Sequence, residues 1–312
     1  MREDSCAAVI VAYNNEDGIA DCLASLFAHS RLKTTAVVVD NSPGEGTADA
    51  VLAYRDAHPD QDIGLIRRPD NIGFAAGCNL GAKGGTGKYL LFLNPDASLE
   101  NDAPSLLAAF LRENPRAKIA GPQIRDRRGA VGKTCRNLPT PLGIFFDAAG
   151  LDRYLGYYRL TRFDHAHARK VGQIIGACMF IRREDFEALG GFDERFFIYY
   201  EEVDLCKRVW DSGGEVWFYP GARIGHVGGV SCEAPAAVNR MPGFLRRSRA
   251  HYFAKYYGLA PQFLVLGVSI GESLCKAAVL TVLAWLGKRD SAARLGRRNG
   301  FIALLREWAR KG

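Results

Sequence analysis

The residues best suited to chemistry lie at two distant places in this 312-residue chain. Asn94-Pro95-Asp96 follows the apolar run Tyr89–Leu93, which places a carboxylate at the end of a predicted buried strand. Ligands of open α/β sheets bind beyond the carboxyl ends of strands. The second place is Glu201-Glu202, which follows several aromatic residues and precedes His226. A carboxylate and an imidazole can bind a divalent cation, and a further carboxylate can act as a general base.

Polar side chains also follow two other predicted strands. Tyr13, Asn14 and Glu16 come after the first, and Asp40 comes after the second. Amides and carboxylates can bind a nucleoside through hydrogen bonds, and an aspartate beside a diphosphate needs a bridging cation because two anions repel. Each residue taken alone could instead cap a helix or start a turn. Their placement at three strand ends favours one shared ligand.

Three glycines, Gly73, Gly77 and Gly81, recur every four residues. This spacing differs from the GxGxxG of a dinucleotide fold and disfavours a dehydrogenase. On a short helix it leaves one bare stripe, which allows close approach of a neighbouring strand or of a ligand. Both interpretations remain open from the sequence.

The elements that must position these residues alternate between strands and helices, which predicts an α/β fold with a mostly parallel sheet and helices on both faces. Thr47 is expected to cap the second helix and Pro220 to close the last strand. The predicted strands are 7–12, 36–39, 63–66, 89–93, 118–121, 174–181 and 216–220, and the predicted helices are 20–28, 47–54, 74–82, 103–111, 142–149, 183–189 and 202–212.

The composition is that of an ordinary globular protein, with 48% hydrophobic and 24% charged residues. The eight cysteines form no CxxC pair, so neither a zinc site nor a disulfide framework is expected, and a reducing cytosol is favoured. The first apolar stretch, 7–12, is shorter than the hydrophobic region of a signal peptide. We therefore expect a cytoplasmic protein.

The basic residues are concentrated in the C-terminal part. Residues 240–312 contain 14 Lys or Arg and 3 acidic residues, which gives this part a net charge of +11. Because the whole chain has a net charge of +7, residues 1–239 carry −4. We predict a catalytic domain over 1–239 and a basic tail of amphipathic helices over 240–312. The stretch 263–286 is long enough to span a bilayer, but Glu272 and Lys276 near its middle favour an interfacial helix on the inner face of the cytoplasmic membrane. A helix packed on the domain is the alternative, and no nucleic-acid partner is expected.

Residues 7–235 resemble the family 2 inverting glycosyltransferases of GT-A fold, and within them the bacterial rhamnosyltransferase-like group. The resemblance rests on seven motifs in the family's order: YNNE, VVVDNS, NIGFAAGCNLG, LLFLNPDA, GACMFIRR, GGFDERFFIYYEEVDLCKR and GHVGGVS. It implies a nucleotide-diphosphate sugar donor, a Mg²⁺ or Mn²⁺ ion, and a lipid-linked or growing polysaccharide acceptor, as in cell-wall or other polysaccharide biosynthesis.

The same resemblance implies roles for individual residues. Here the first position of the family's DxD motif is an asparagine, so Asp96 alone offers a charged ligand there. Implied donor-binding residues are Tyr13, Asn14, Glu16, Asp40, Asn71, Gly73, Phe74, Asn79, Asn94 and Asp96, and implied metal ligands are Asp96 and His226.

The catalytic base is implied at the second residue of the family's acidic pair. Glu202 aligns with that position, where the family has Asp, and Glu201 is its competitor. Asp204 is expected to support Arg208 instead. Nearby aromatic residues predict a walled pocket that raises the pKa of a carboxylate.

The sequence therefore predicts an inverting, metal-dependent glycosyltransferase, a hexosyltransferase that moves L-rhamnose from dTDP-rhamnose to a lipid-linked or cell-surface polysaccharide acceptor. Two alternatives remain. One is a non-catalytic GT-A-like module that binds a nucleotide sugar or glycan. The other is a sugar nucleotidyltransferase, which would need a basic Gly-rich loop after the first strand where this chain has Tyr13, Asn14 and Glu16.

Overall fold

The computed structural model describes residues 4–226 and 235–263, together with 265, 267, 268 and 271. Nine strands of the described part are β1 Ser5–Ala12, β2 Lys33–Asp40, β3 Asp62–Arg67, β4 Tyr89–Leu93, β5 Ala97–Leu99, β6 Ala117–Arg125, β7 Arg169–Lys170, β8 Cys178–Arg182 and β9 Glu215–His226. Its helices are α1 Ile19–His29, α2 Gly46–Ala57, α3 Phe74–Gly84, α4 Ala103–Glu113, α5 Pro141–Ala148, α6 Asp152–Leu155, α7 Arg183–Ala188, α8 Glu201–Asp211 and α9 Pro235–Tyr257.

These strands form one mixed sheet in the order β3-β2-β1-β4-β8-β6-β9-β5, with β7 on β9. Four of the pairings are parallel: β1 with β2, β2 with β3, β1 with β4, and β6 with β9. The sheet changes direction where β4 meets antiparallel β8. The carboxyl ends of β1, β2 and β4 therefore lie side by side at one edge.

Helices cover both faces of the sheet because successive strand side chains point to opposite sides. Ile10 of β1 packs in a core with Leu23 of α1 and Leu107 of α4. Its neighbour Val9 packs in the opposite core with Cys78 of α3 and Leu205 of α8. The predicted α/β architecture is confirmed.

Three local predictions were wrong. Thr47 does not cap α2 through its side chain; its hydroxyl accepts a hydrogen bond from Asn15 N–H instead. Strand β9 runs through Pro220 to His226 because its pairing with β6 is interrupted there. Tyr219 pairs with Pro122 and Arg223 with Gln123, so residues 220–222 bulge out and Pro220 need not donate a hydrogen bond. The predicted strand 174–181 is extended and paired only from Cys178 onward.

The described residues divide into two compact units. One comprises residues 1–138 and 159–231, and holds the sheet. The other comprises 139–158 and 232–312, so the segment containing α5 and α6 groups with the C-terminal residues. The predicted boundary at residue 240 stays a prediction, and most of the predicted interfacial helix 263–286 lies outside the described residues. Among the residues described, no helix is both long and apolar enough to cross a bilayer.

Candidate active site

Asp96 lies on a tight turn that begins where β4 ends. Ala97 N–H donates to the Asn94 carbonyl at 3.1 Å, which closes a four-residue turn with Pro95 at its second position. Proline favours that position because its ring fixes φ near the value the turn requires. Asn94 is itself fixed, since its N–H donates to the Ala177 carbonyl at 3.0 Å. The carboxylate of Asp96 is held rigidly at the sheet edge.

A short strand that the sequence did not predict brings His226 to this turn. Strand β5 follows Asp96 directly and pairs antiparallel with the end of β9, with Ala97 opposite His226. His226 Nε2 consequently lies 3.1 Å from Asp96 Oδ1 and 3.4 Å from the amide nitrogen of Asn94. Residues 132 positions apart thus meet at one point.

The chemistry of this pair fits a divalent cation whose remaining ligands would come from the substrate. Asp96 and His226 offer one carboxylate and one imidazole, and their side chains are 10% and 16% exposed, so ligand atoms can reach them. Magnesium and manganese sites commonly use one or two protein carboxylates and take further ligands from phosphates and water. Among the described residues, no group of three or more His, Cys, Asp or Glu side chains is arranged around a metal position. Asp96 and His226 are therefore the two candidate protein ligands that the described residues offer at this turn.

The acidic pair opens α8 from a strained backbone. Tyr199 and Tyr200 have φ of 68° and 70°, a left-handed conformation that costs a bulky residue about 1–2 kcal/mol. Tyr200 precedes the first helical residue, and its carbonyl accepts from Asp204 N–H at 2.8 Å. The turn directs two consecutive glutamates into the molecule at the helix N-terminus, where the helix dipole favours their charged form.

The two glutamates face different surroundings. Glu202 lies against Gly176, where an added Cβ would be 3.8 Å from Glu202 Cγ. Glu201 is 4% exposed and faces α3, where its charge adds to burial in raising the pKa of the Cys78 thiol. One oxygen of each glutamate, Oε2, is buried without a hydrogen-bond partner.

Burial raises the pKa of both glutamates above the ordinary value, near 4.5. The pKa of Glu201 lies well above that value, because burial is reinforced by the charge of Glu202. For Glu202 the increase in pKa is opposed by backbone N–H groups and by the positive charge of Arg136. Glu202 is therefore the partner that more readily carries the negative charge, as a base requires.

The backbone connects Glu202 to the Asp96 turn. Gly176, which contacts Glu202, directly precedes Ala177, whose carbonyl receives the Asn94 N–H. Two backbone hydrogen bonds join Arg136 to Gln173, three residues before Gly176 in the same segment. The sequence did not single out Arg136, which lies in a stretch without a clear hydrophobic pattern. Gly176 opens the GACMFIRR motif, but no individual role was predicted for it.

The loop after β1 presents Tyr13, Asn14 and Glu16 at the sheet edge. Tyr13 is exposed, and Asn14 adopts a left-handed conformation with φ of 53°. Asn14 N–H donates to the Ser42 hydroxyl at 2.8 Å, which anchors the loop to the one that follows β2. The geometry leaves the three predicted side chains available to a ligand.

Asp40 is placed differently, because its side chain has no exposed surface. Its Oδ1 accepts from Ser42 N–H at 2.9 Å, while Oδ2 has no hydrogen-bond partner and lies 3.6 Å from Arg67 Nε. Arg67 sits opposite Asp40 in the β2–β3 register. Sequence reasoning missed Arg67, although the end of the third predicted strand pointed to it. The donor-binding role of Asp40 stays a prediction.

The loop before α3 is joined to the aromatic segment before α8. Phe74 N–H donates to the Phe197 carbonyl at 2.7 Å, and Asn71 accepts from Gly73 N–H. The Gly73 carbonyl accepts from the Asn41 amide at 3.1 Å. Gly73 has φ of 87°, and a Cβ there would lie 2.6 Å from the Phe197 carbonyl oxygen. This position requires glycine for both conformation and space.

Replacing Gly73 by Ala is expected to lower the free energy of unfolding by about 2–4 kcal/mol, because a left-handed alanine adds backbone strain and its methyl separates two joined loops. Gly129→Ala is the matched control: Gly129 has φ of 77° but no atom within 4 Å of its Cβ position, so it bears only the backbone cost. Urea unfolding of both variants measures the difference. Equal losses would contradict a steric role for Phe197.

Other predicted residues have structural tasks. The Asn79 amide donates to Phe192 O and Glu194 Oε1 and accepts from Phe192 N–H, so it fastens α3 to the segment before the aromatic residues. Gly77 and Gly81 press against Val11 and Val9 of β1. The glycine stripe therefore serves close helix packing at these two positions. As predicted, Asp204 supports Arg208, with Oδ2 2.8 Å from Nε.

A cavity of about 650 Å³ lies at the opposite, amino end of β1 and β2. Its central cation, Arg183, already donates to the carbonyls of Ala82, Gly85 and Gly87. Its lining contains no histidine, asparagine or aspartate, the residue types gathered at the carboxyl ends, which form the candidate active site.

Comparison with known proteins identifies the family of this chain. Residues 7–190, more than half of the chain, match the model described as "Glycosyl transferase family 2". The chain belongs to glycosyl transferase family 2. Residues 161–230 also match a model described as "N-terminal domain of galactosyltransferase".

Two relatives of this family 2 protein are characterised by name. It is 28% identical over 244 residues to an N-acetylglucosaminyl-diphospho-decaprenol L-rhamnosyltransferase of Mycobacterium tuberculosis, covering 72% of this chain and 76% of that one. It is 30% identical over 214 residues to the low-salt glycan biosynthesis hexosyltransferase Agl10 of Haloferax volcanii, covering 66% and 62%.

Solved structures share the fold at low identity. The mannosyltransferase PcManGT of Pyrobaculum calidifontis, in complex with GDP-Man and Mn²⁺, has a TM-score of 0.58 and 17% identity, covering 98% of this chain and 88% of that one. GalNAc-T7 with UDP, GalNAc and Mn²⁺ has a TM-score of 0.57 and 16% identity, and this chain spans 52% of it. These neighbours are GT-A glycosyltransferases, so the predicted fold family is confirmed.

Proposed function

We propose that this family 2 glycosyltransferase is an inverting, metal-dependent rhamnosyltransferase that moves L-rhamnose from dTDP-rhamnose to a lipid-linked acceptor in polysaccharide biosynthesis. The observation that carries the proposal is the meeting of Asp96 and His226 at 3.1 Å. It is supported by the packing of Glu202 against Gly176, which directly precedes the Ala177 that holds Asn94. The sugar and the acceptor are proposed from the mycobacterial relative, whose name specifies both. The Mn²⁺ in the names of two GT-A neighbours supports the metal.

Inversion requires a base on the face of the sugar opposite the leaving group. Glu202 would take the proton from the acceptor hydroxyl as that oxygen attacks the anomeric carbon. Burial raises the pKa of Glu202 and so makes it a stronger base than an exposed glutamate, while the charge of Arg136 limits the rise. Tyr13, Asn14 and Glu16 would surround the nucleoside. Asn71, Gly73 and Phe74 would line the donor pocket.

Asp96 and His226 would hold Mg²⁺ or Mn²⁺, which when bound supplies positive charge to neutralise the departing diphosphate. With only two protein ligands, the affinity for the ion should depend on the donor phosphates. The acceptor's lipid would place the enzyme at the cytoplasmic face of the membrane, attached peripherally. Family membership favours glycosyl transfer over nucleotidyl transfer, and the presence of Asp96, His226 and Glu202 in this sequence favours an enzyme over a binding module.

Calorimetric titration with dTDP-rhamnose, UDP-N-acetylglucosamine and GDP-mannose, each with Mn²⁺ and with EDTA, tests the donor and the ion together. We expect dTDP-rhamnose to bind most tightly and to lose most of its affinity in EDTA. Tighter binding of another donor would refute the sugar assignment. Equal binding in EDTA would refute the metal site. Release of free dTDP during turnover would distinguish glycosyl transfer from donor binding alone.

A further inference from the structure

The unit formed by 139–158 and the C-terminal residues carries most of the exposed apolar surface of the described chain. Eight of the eleven large hydrophobic side chains that are exposed among the described residues belong to it. Compact proteins rarely concentrate such residues without a partner. The eight are Leu142, Phe145, Leu151, Tyr154, Leu155, Tyr157, Leu259 and Phe263.

The unit that carries these exposed side chains also has a buried aromatic core of its own. The same unit buries Tyr252 and Phe253 completely. Their rings pack edge to face with each other and tilted against those of Tyr256 and Tyr257. Tyr257 Oη donates to the Pro139 carbonyl at 3.1 Å, which ties the last turn of α9 to the beginning of α5. The exposed residues of α5 and α6 therefore sit on an ordered support.

Charge identifies the kind of partner. Residues 235–263 contain five Lys or Arg and no Asp or Glu. Arg153 lies over the Tyr154 ring, 4.6 Å from its centroid, which pairs a cation with an aromatic residue on α6. Apolar and aromatic side chains beside a purely cationic helix match the boundary between acyl chains and anionic headgroups of a bilayer.

We infer that α5 and α6, with their connecting residues, form a membrane-docking surface that inserts into the interface of an anionic bilayer while α9 supplies electrostatic attraction. The inference rests on the proposed function in one respect, since a polyprenyl-linked acceptor must be met at a membrane. It assigns docking to the segment 139–158, in addition to the predicted helix 263–286.

Vesicle co-sedimentation of the full chain tests the surface. Phosphatidylcholine vesicles with and without phosphatidylglycerol are compared at low and high salt. The double variant Leu142→Gln with Phe145→Gln should lower partitioning to both vesicle types by more than about tenfold. High salt should weaken only the additional binding to phosphatidylglycerol. Val131→Gln, at an exposed apolar residue of the other unit, is the matched control and should bind like the wild type.

A second variant, Tyr154→Gln with Leu155→Gln on α6, guards against a local folding defect on α5, and circular dichroism checks both. Unchanged vesicle binding in both folded variants would overturn the inference. So would loss of a dimer in gel filtration without a change in vesicle binding, which would make the surface a contact between copies. Donor titration of the same variants separates the two proposals: docking can fail while dTDP-rhamnose still binds, and the donor assignment can fail while vesicle binding persists.

Discussion

Glu202→Gln is expected to lower kcat by about 10²–10⁴-fold while leaving the dissociation constant of the donor nearly unchanged. The amide keeps the size of the side chain that packs against Gly176 but cannot accept a proton. Donor binding should survive because Glu202 lies on α8, whereas the donor residues lie on the loops after β1, β3 and β4. Steady-state transfer assays and donor calorimetry measure the two quantities.

Glu201→Gln distinguishes the two candidate bases. Burial and the charge of Glu202 raise the pKa of Glu201 well above its ordinary value. Glu201 is therefore the carboxyl of the pair that more readily holds a proton, and because the amide resembles that protonated form, transfer should fall much less. Glu187→Gln on α7, whose side chain is 64% exposed, is the neutral control. A larger loss from Glu201→Gln than from Glu202→Gln would exchange their roles.

The pH dependence follows from the same shifts. Because Glu202 must be unprotonated to act and its pKa is raised, kcat/KM should increase with pH through a midpoint above 4.5. Glu201 affects stability in the opposite sense. Above pH 4.5 and below its raised pKa, the folded state holds a proton that the unfolded chain has lost, so the free energy of unfolding falls as the pH rises. Glu201→Gln should reduce that slope to the part contributed by Glu202, whose pKa is also raised.

The sheet could be predicted because most of its strands have a recognisable local sequence pattern. Runs such as Tyr89–Leu93 are continuously apolar and end at polar residues, which is the pattern of a strand buried on both faces. The short strand Ala97–Leu99 has no such pattern, and only its pairing with the distant end of β9 makes it a strand. The sequence therefore predicted the positions of Asp96 and His226 separately, whereas their contact depends on an element that it did not reveal.

The surroundings of each site residue were harder to predict than its position. The sequence predicts Asp40 to be an accessible carboxylate at a strand end. In the structure its side chain is fully buried, with Arg67 of the next strand 3.6 Å away. Asn79 reads as a pocket amide, yet its hydrogen bonds are all directed at the segment 192–194. Partners of this kind come from residues far apart in the chain, so hydrophobic periodicity carries no information about them.

Asp96→Asn is expected to reduce transfer by about 10²–10³-fold and to remove the part of donor affinity that depends on Mn²⁺. The substitution keeps the shape of the turn, because the hydrogen bond from Ala97 N–H to the Asn94 carbonyl involves backbone atoms alone. It removes the carboxylate from the two proposed metal ligands, Asp96 and His226. Transfer assays and calorimetry with and without EDTA measure both effects.

Asp56→Asn is the matched control, since the Asp56 side chain is 74% exposed on α2 and belongs to no strand end. His226→Gln should produce a smaller loss than Asp96→Asn, because a neutral amide can still offer an oxygen to the ion while a lost negative charge cannot be replaced. If donor affinity in EDTA also fell in Asp96→Asn, the carboxylate would be acting on the nucleoside or sugar directly. If Mn²⁺ dependence persisted in both variants, the ion would have to be held elsewhere on the sheet edge.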